Sequence, residues 1–95
     1  MIRDLTRAID LQPEFAYAYY NRGTFYARSN DLHAALVDFD KAIELDETLA
    51  EAWYNRGLVL VMLNRMDDAF RDLSRAGELG IYTAYNIIKR FSKSE

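Results

Sequence analysis

The sequence has no cysteine, one proline, four glycines and one histidine, and it has no excess of positive charge. The missing cysteine excludes a disulfide framework, a thiolate metal site and a thiol nucleophile. It also fits a reducing compartment, so a cytoplasmic location is expected. One proline leaves few points at which a helix must break. Lys and Arg total 12 against 15 Asp and Glu, a net charge of −3, and the cations lie scattered among acids. Affinity for nucleic-acid phosphates or an anionic lipid surface then has no evident source. The longest apolar run, Leu58 to Leu63, is far shorter than the ~20 residues that span a bilayer. The opening "MIRDLTRAID" is charged and amphipathic, unlike a secretory signal. The expected product is soluble, with neither nucleic acid nor membrane as partner.

Residues able to do chemistry are equally sparse. His33 has no serine or carboxylate pair at a spacing that would build a triad or a metal site, and it reads as a surface residue at a helix start. The carboxylates of "DETLAE" and "RMDDAF" sit where helix ends are expected, and favour helix N-termini electrostatically. Gly23 and Gly57 are isolated inside predicted helices, so no phosphate-cradling loop exists. No catalytic residue, cofactor or metal is expected, and the chain is not read as an enzyme.

What the sequence does hold is a repeat. "AYYNRG" at 18–23 returns as "AWYNRG" at 52–57, and residues 16–49 align with 50–83 without a gap. Identical pairs include Asn21/Asn55, Arg22/Arg56, Gly23/Gly57, Asn30/Asn64, Ala35/Ala69, Asp38/Asp72 and Ala42/Ala76. The register also runs backwards, since "DLTRAIDLQPEFA" at 4–16 matches "DFDKAIELDETLA" at 38–50. Apolar residues recur at helical spacing within each half unit, as at Tyr19, Gly23 and Tyr26, then Ala35, Phe39, Ala42 and Ile43. Six helices are predicted, over about 2–11, 15–28, 31–45, 49–63, 66–78 and 81–92. Asn30 and Asn64 suit left-handed C-caps, Asp31 an N-cap, and Thr48 with Glu51 a capping box. Pro13 marks the equivalent junction upstream. The chain divides into a half repeat at 1–15, repeats at 16–49 and 50–80, and a C-terminal capping helix at 81–95. A two-helix unit cannot bury its apolar stripe alone, so the units are expected to stack into an all-α solenoid.

These residues resemble the tetratricopeptide repeat (TPR) family, whose 34-residue pattern is W-x2-L-G-x2-Y, then A-x3-F, A and P. The first unit supplies Tyr19, Gly23, Tyr26, Ala35, Phe39 and Ala42, and the second Trp53, Gly57, Leu60, Ala69, Leu73 and Ala76. The preceding half unit supplies Leu5, Ala8 and Pro13. The resemblance implies a right-handed superhelix of helical hairpins. Two departures stand out. The leucine before glycine is Arg22 and Arg56, and the closing proline is Glu47 and Ile81. An aspartate follows each arginine by sixteen residues, Asp38 and Asp72, so an ion pair between the two helices of each unit is predicted.

In this family the first helix of each unit lines a concave groove, and the resemblance places a set of residues there. They are Tyr17, Tyr20, Asn21, Thr24 and Arg28 from the first unit, with Ala27 beside them. The second unit adds Glu51, Tyr54, Asn55 and Leu58, with Val61 and Met62, and the capping helix adds Tyr85, Ile88 and Lys89. Tyrosine suits binding hot spots, and the asparagine amides can fix an extended peptide. A subtype that grips carboxylate tails uses two lysines, two asparagines and an arginine. Only Asn55 matches it, so the mildly acidic, aromatic groove points to an apolar or basic peptide. The expected function is a protein–protein interaction module binding a peptide or protein segment. The alternative is a structural self-association element, a homo-oligomer or part of a longer array, using the uncapped N-terminal helix.

Overall fold

Each of the first two hairpins turns where a residue able to adopt a left-handed backbone stops its first helix. The computed structural model describes residues 15–92, and its regular structure is entirely helical: α1 (Ala16–Arg28), α2 (Leu32–Leu45), α3 (Ala50–Met62), α4 (Met66–Glu78) and α5 (Thr83–Ser92). All five lie within a residue or two of the predicted spans. The predicted helix over 2–11 falls outside the described residues, as do the half repeat apart from Phe15 and the edge invoked for self-association.

Three helices close in the same way. Asn30, Asn64 and Gly80 take φ values of 65°, 61° and 115°. Asparagine tolerates this region and glycine enters it without strain. The turn sends the next N–H back to the helix, from Asp31 to the Tyr26 carbonyl, Arg65 to Leu60 and Ile81 to Ala76, at 2.8, 2.8 and 2.9 Å. This Schellman geometry satisfies carbonyls the helix end would orphan.

The predicted N-caps are not made. Asp31 does occupy the N-cap of α2, but its side chain makes no capping hydrogen bond. Its backbone already serves both helices, donating to Tyr26 and accepting from Ala35. The N-cap of α3 is Leu49 rather than Thr48. Thr48 instead gives both its N–H and its hydroxyl to Asp46 Oδ1, at 3.0 and 2.6 Å. The acceptor two residues upstream wins over the helix end, so Thr48 and Glu51 form no capping box.

Within each unit the helices pair as a hairpin, α1 on α2 and α3 on α4. Then α3 packs on α2 and α5 on α4, giving a helical-hairpin repeat solenoid. Close approach depends on the repeated glycine. A Cβ at Gly23 would stand 2.8 Å from the Phe39 ring, and one at Gly57 the same distance from Leu73 Cγ. Phe39 and Leu73 are fully buried, as are Ala35, Ala42, Ala69 and Ala76. Burying a side chain as large as Phe39 or Leu73 contributes about 1.5–3 kcal/mol.

The predicted ion pairs are present in both hairpins. Arg22 Nε and Nη2 donate to Asp38 Oδ2 and Oδ1 at 2.7 and 2.8 Å. Arg56 Nε and Nη2 donate to Asp72 Oδ2 and Oδ1 at 2.7 and 2.9 Å. Both carboxylates are buried, and each guanidinium also lies over aromatic rings: Arg22 beside Tyr19 and Tyr26, Arg56 over Trp53. Arg56 makes one further bond, from Nη1 to Asp40 Oδ1 of the preceding hairpin at 2.7 Å.

Candidate functional site

The first helices of the two hairpins, α1 and α3, leave a hollow of about 380 Å³ between them, a size within the range of small ligand sites, ~300–1,000 Å³. Tyr20, Thr24, Ala27 and Arg28 line it from α1, and Asn55, Leu58, Val59 and Met62 from α3. Phe39 of α2 closes the floor. Residues four and eight apart share a helix face, so Tyr20, Thr24 and Arg28 reach the hollow together. Of the residues assigned by resemblance, Tyr20, Thr24, Ala27, Arg28, Asn55, Leu58 and Met62 meet here.

The remaining assigned residues lie elsewhere. Tyr17 stands at the rim, half exposed, its ring 5.4 Å from that of Tyr20. Asn21 is half-buried on the same helix, and Glu51 is exposed in the first turn of α3. Tyr54 packs, with Leu58, Val61 and Ile88, on the core cluster of Leu73, Ala76 and Ala84. The Tyr85 ring lies against Gly77 of α4, and Lys89 is exposed in the last turn of α5. Of the four tyrosines, Tyr20 lines the hollow itself.

Hydrogen-bond directions inside the hollow are fixed by a short chain of partners. The Thr24 hydroxyl donates to the Tyr20 carbonyl at 2.9 Å, so it can only accept from Asn55. The atom facing it must then be the amide nitrogen. Asn55 Nδ2 donates to Thr24 Oγ1 at 3.3 Å and to the Tyr20 hydroxyl at 3.2 Å. Asn55 Oδ1 keeps its acceptor capacity, and the Tyr20 hydroxyl keeps its proton to give. A free acceptor beside a free donor complements the N–H and C=O of a peptide backbone. The same network holds α1 and α3 together across 35 positions of sequence.

Sequence reasoning did not find Phe39 and Val59 as part of the site. Both fit the buried pattern of their helices, and no spacing rule shows that a buried face also floors a hollow. The Asn55 network was missed because its partners belong to the neighbouring unit.

A second hollow, about 340 Å³, lies on the opposite flank of α3. Leu36, Trp53 and Leu60 line it together with Arg56, Arg65, Arg71, Asp40, Asp68 and Asp72. Its charges are matched internally. Arg56 holds Asp72 and Asp40, while Arg65 and Arg71 approach Asp68 at 2.9 and 3.6 Å. The carboxylate hydrogen bond of Asp38 raises the pKa of Arg22 further above its ordinary value. For Arg56 burial works the other way, but the hydrogen bonds and fields of Asp72 and Asp40 outweigh it. Both arginines stay charged. Among the described residues no group of acids and histidine could hold a metal ion, and no helix is long and apolar enough to cross a membrane.

Comparison with known proteins agrees with this architecture. One tetratricopeptide repeat model matches residues 16–49 and a second matches residues 39–71. No curated protein gives a significant match. Among solved structures, the first TPR of Spaghetti (RPAP3), bound to the HSP90 peptide SRMEEVD, is similar with a TM-score of 0.92 at 25% identity. That match covers 98% of this chain and 75% of the other. The first TPR domain of human RPAP3 gives 0.90 at 26% identity, over 97% and 74% of the two chains. YrrB, a TPR protein with an unusual peptide-binding site, gives 0.87 at 27% identity, over 98% of this chain and 51% of its own. Repeated hairpins, the glycine at each helix crossing and the matched models lead to one assignment: the chain belongs to the tetratricopeptide repeat family.

Proposed function

We propose that the chain is a non-enzymatic protein-interaction module that binds an extended peptide or protein segment in the hollow between α1 and α3. The observation that carries this reading is the Asn55–Tyr20–Thr24 network on the lining of the hollow, which leaves an amide acceptor and a hydroxyl donor uncommitted among the described residues. An extended backbone offers the matching pair at every residue, and the apolar lining from Leu58 and Met62 takes a side chain. Two of the similar structures bear names that speak of peptide binding, one with the HSP90 peptide in place. Tyr17, Asn21, Glu51, Tyr54, Tyr85 and Lys89 flank the hollow in this reading and extend the contact to longer segments. The units are taken as repeats over 16–49 and 50–80, closed by α5.

The test is selection from a displayed library of random peptides, followed by fluorescence anisotropy with the selected sequences. Asn55→Ala removes the free acceptor and the clasp on Tyr20, and is expected to weaken binding about tenfold. The helical circular-dichroism spectrum should be retained. Unchanged affinity in Asn55→Ala would remove the hollow from the binding surface.

A further inference from the structure

Oxidation of this chain falls to its methionines, because there is no cysteine to react first. They are Met1, Met62 and Met66. Met1 lies outside the described residues, and Met66, at the start of α4, is half-buried. Met62, the last residue of α3, is 62% exposed, although methionine is usually found inside. A hydroperoxide can therefore reach its thioether, and that thioether lines the hollow between α1 and α3.

The opposite wall holds a donor that an oxidised Met62 could use. Met62 follows Arg28 by one repeat of 34 residues, so the two occupy equivalent positions at the C-terminal ends of α3 and α1. Both line the hollow. Arg28 is exposed, and among the described residues its guanidinium faces no carboxylate, whereas Arg22, Arg56, Arg65, Arg71 and Arg75 all do. A thioether sulfur accepts hydrogen bonds weakly and offers Arg28 little. A sulfoxide carries a polar oxygen in place of apolar surface.

We propose that Met62 is an oxidation site that switches the hollow between open and closed. A hydroperoxide transfers its terminal oxygen to the thioether: the O–O bond breaks and an S=O bond forms. Sulfur gives up two electrons to the peroxide, whose proton passes to the departing oxygen, released as water or an alcohol. The sulfoxide oxygen accepts from the Arg28 guanidinium and closes that end of the hollow to an apolar side chain. Methionine sulfoxide reductases reverse the change. The inference rests on the peptide-binding reading above.

Hydrogen peroxide titrated into the 95-residue chain tests the first step, with tryptic mass mapping to locate the added oxygen. Trypsin cuts after Arg65 and so separates Met62 from Met66. Met62 is expected to oxidise before Met66, with the helical circular-dichroism spectrum retained. Fluorescence anisotropy with the library-selected peptides should show about tenfold weaker binding after oxidation, recovered on treatment with the reductase. Met62→Leu should show the same affinity before and after peroxide. The Arg28 Nε–H signal in NMR should shift on oxidation of the parent and stay in place in Met62→Leu. Earlier oxidation of Met66, affinity unchanged once Met62 is oxidised, or an equal loss in Met62→Leu each overturns the switch and leaves the groove standing. Loss of helicity together with affinity does the same, and a stationary Arg28 signal overturns the closing contact. Failure to select any peptide, or binding indifferent to Asn55→Ala, overturns the groove reading and the switch with it.

Discussion

Arg22 and Arg56 occupy positions where the family pattern has leucine, and they do a leucine's packing with an ion pair added. Their stems lie between the helices while the guanidinium forks close on Asp38 and Asp72. Asp38 is 2% exposed, so a variant without its partner leaves a buried carboxylate with no donors. Arg22→Met is therefore expected to cost about 2–4 kcal/mol in urea denaturation. The double variant Arg22→Met with Asp38→Leu should recover most of that loss, because a well-packed apolar pair can replace a buried ion pair. If the double variant is as unstable as the single, the carboxylate is not the cause. This pairing was legible in the sequence because both partners repeat at the same spacing. The added bond from Arg56 to Asp40 was not, because Thr6 and Ser74 stand at the positions equivalent to Asp40 and break the pattern.

At the scale of the element, stops were easier to read than starts. Asn30 and Asn64 mark helix ends because few residues accept a left-handed backbone, and that preference is local. Starts depend on competition. Thr48 has the chemistry of a cap, but Asp46 lies closer and takes its donors. Those hydrogen bonds from Thr48 hold the Asp46 carboxyl below its ordinary pKa. A folded-state pKa below the unfolded one stabilises the fold above the unfolded value, and the gain is lost as pH falls through the folded value. Thr48→Val removes the larger cause, the hydroxyl bond, and leaves the backbone N–H bond in place. Its denaturation midpoint should lie below that of the parent at about pH 7 and converge with it at about pH 3. A difference that persists undiminished in acid would place the effect in packing rather than in this carboxylate.

For the whole molecule, a period of 34 residues was enough to read an all-α stack of hairpins, because each unit buries its apolar face only against a neighbour. The lining of the hollow was legible in part. Tyr20, Thr24, Arg28, Asn55 and Leu58 follow from which face of α1 and α3 each occupies. Tyr54 and Tyr85 share the register but are drawn into packing on α4, where Gly77 makes room for the Tyr85 ring. Helical phase alone cannot tell a wall from a contact, since the neighbouring helix decides which side of the face is covered.

The reach of Arg56 across the hairpin boundary bears on how the stack comes apart. In a linear array each unit can open on its own unless the terms between neighbours are strong. Arg56 places the carboxylates of Asp40 and Asp72, from successive hairpins, on a single guanidinium. Asp40 is largely exposed, so the bond itself adds less than about 1 kcal/mol. Its contribution to coupling between the hairpins is bounded by that strength, and it adds to the apolar packing of α3 on α2. Native-state hydrogen exchange should give the amides of α2 and α4 a common opening free energy in the parent chain, and in Asp40→Ala values that part by no more than about 1 kcal/mol. If the proposed segment seats between α1 and α3, such a strap would carry part of its protection from one hairpin to the other.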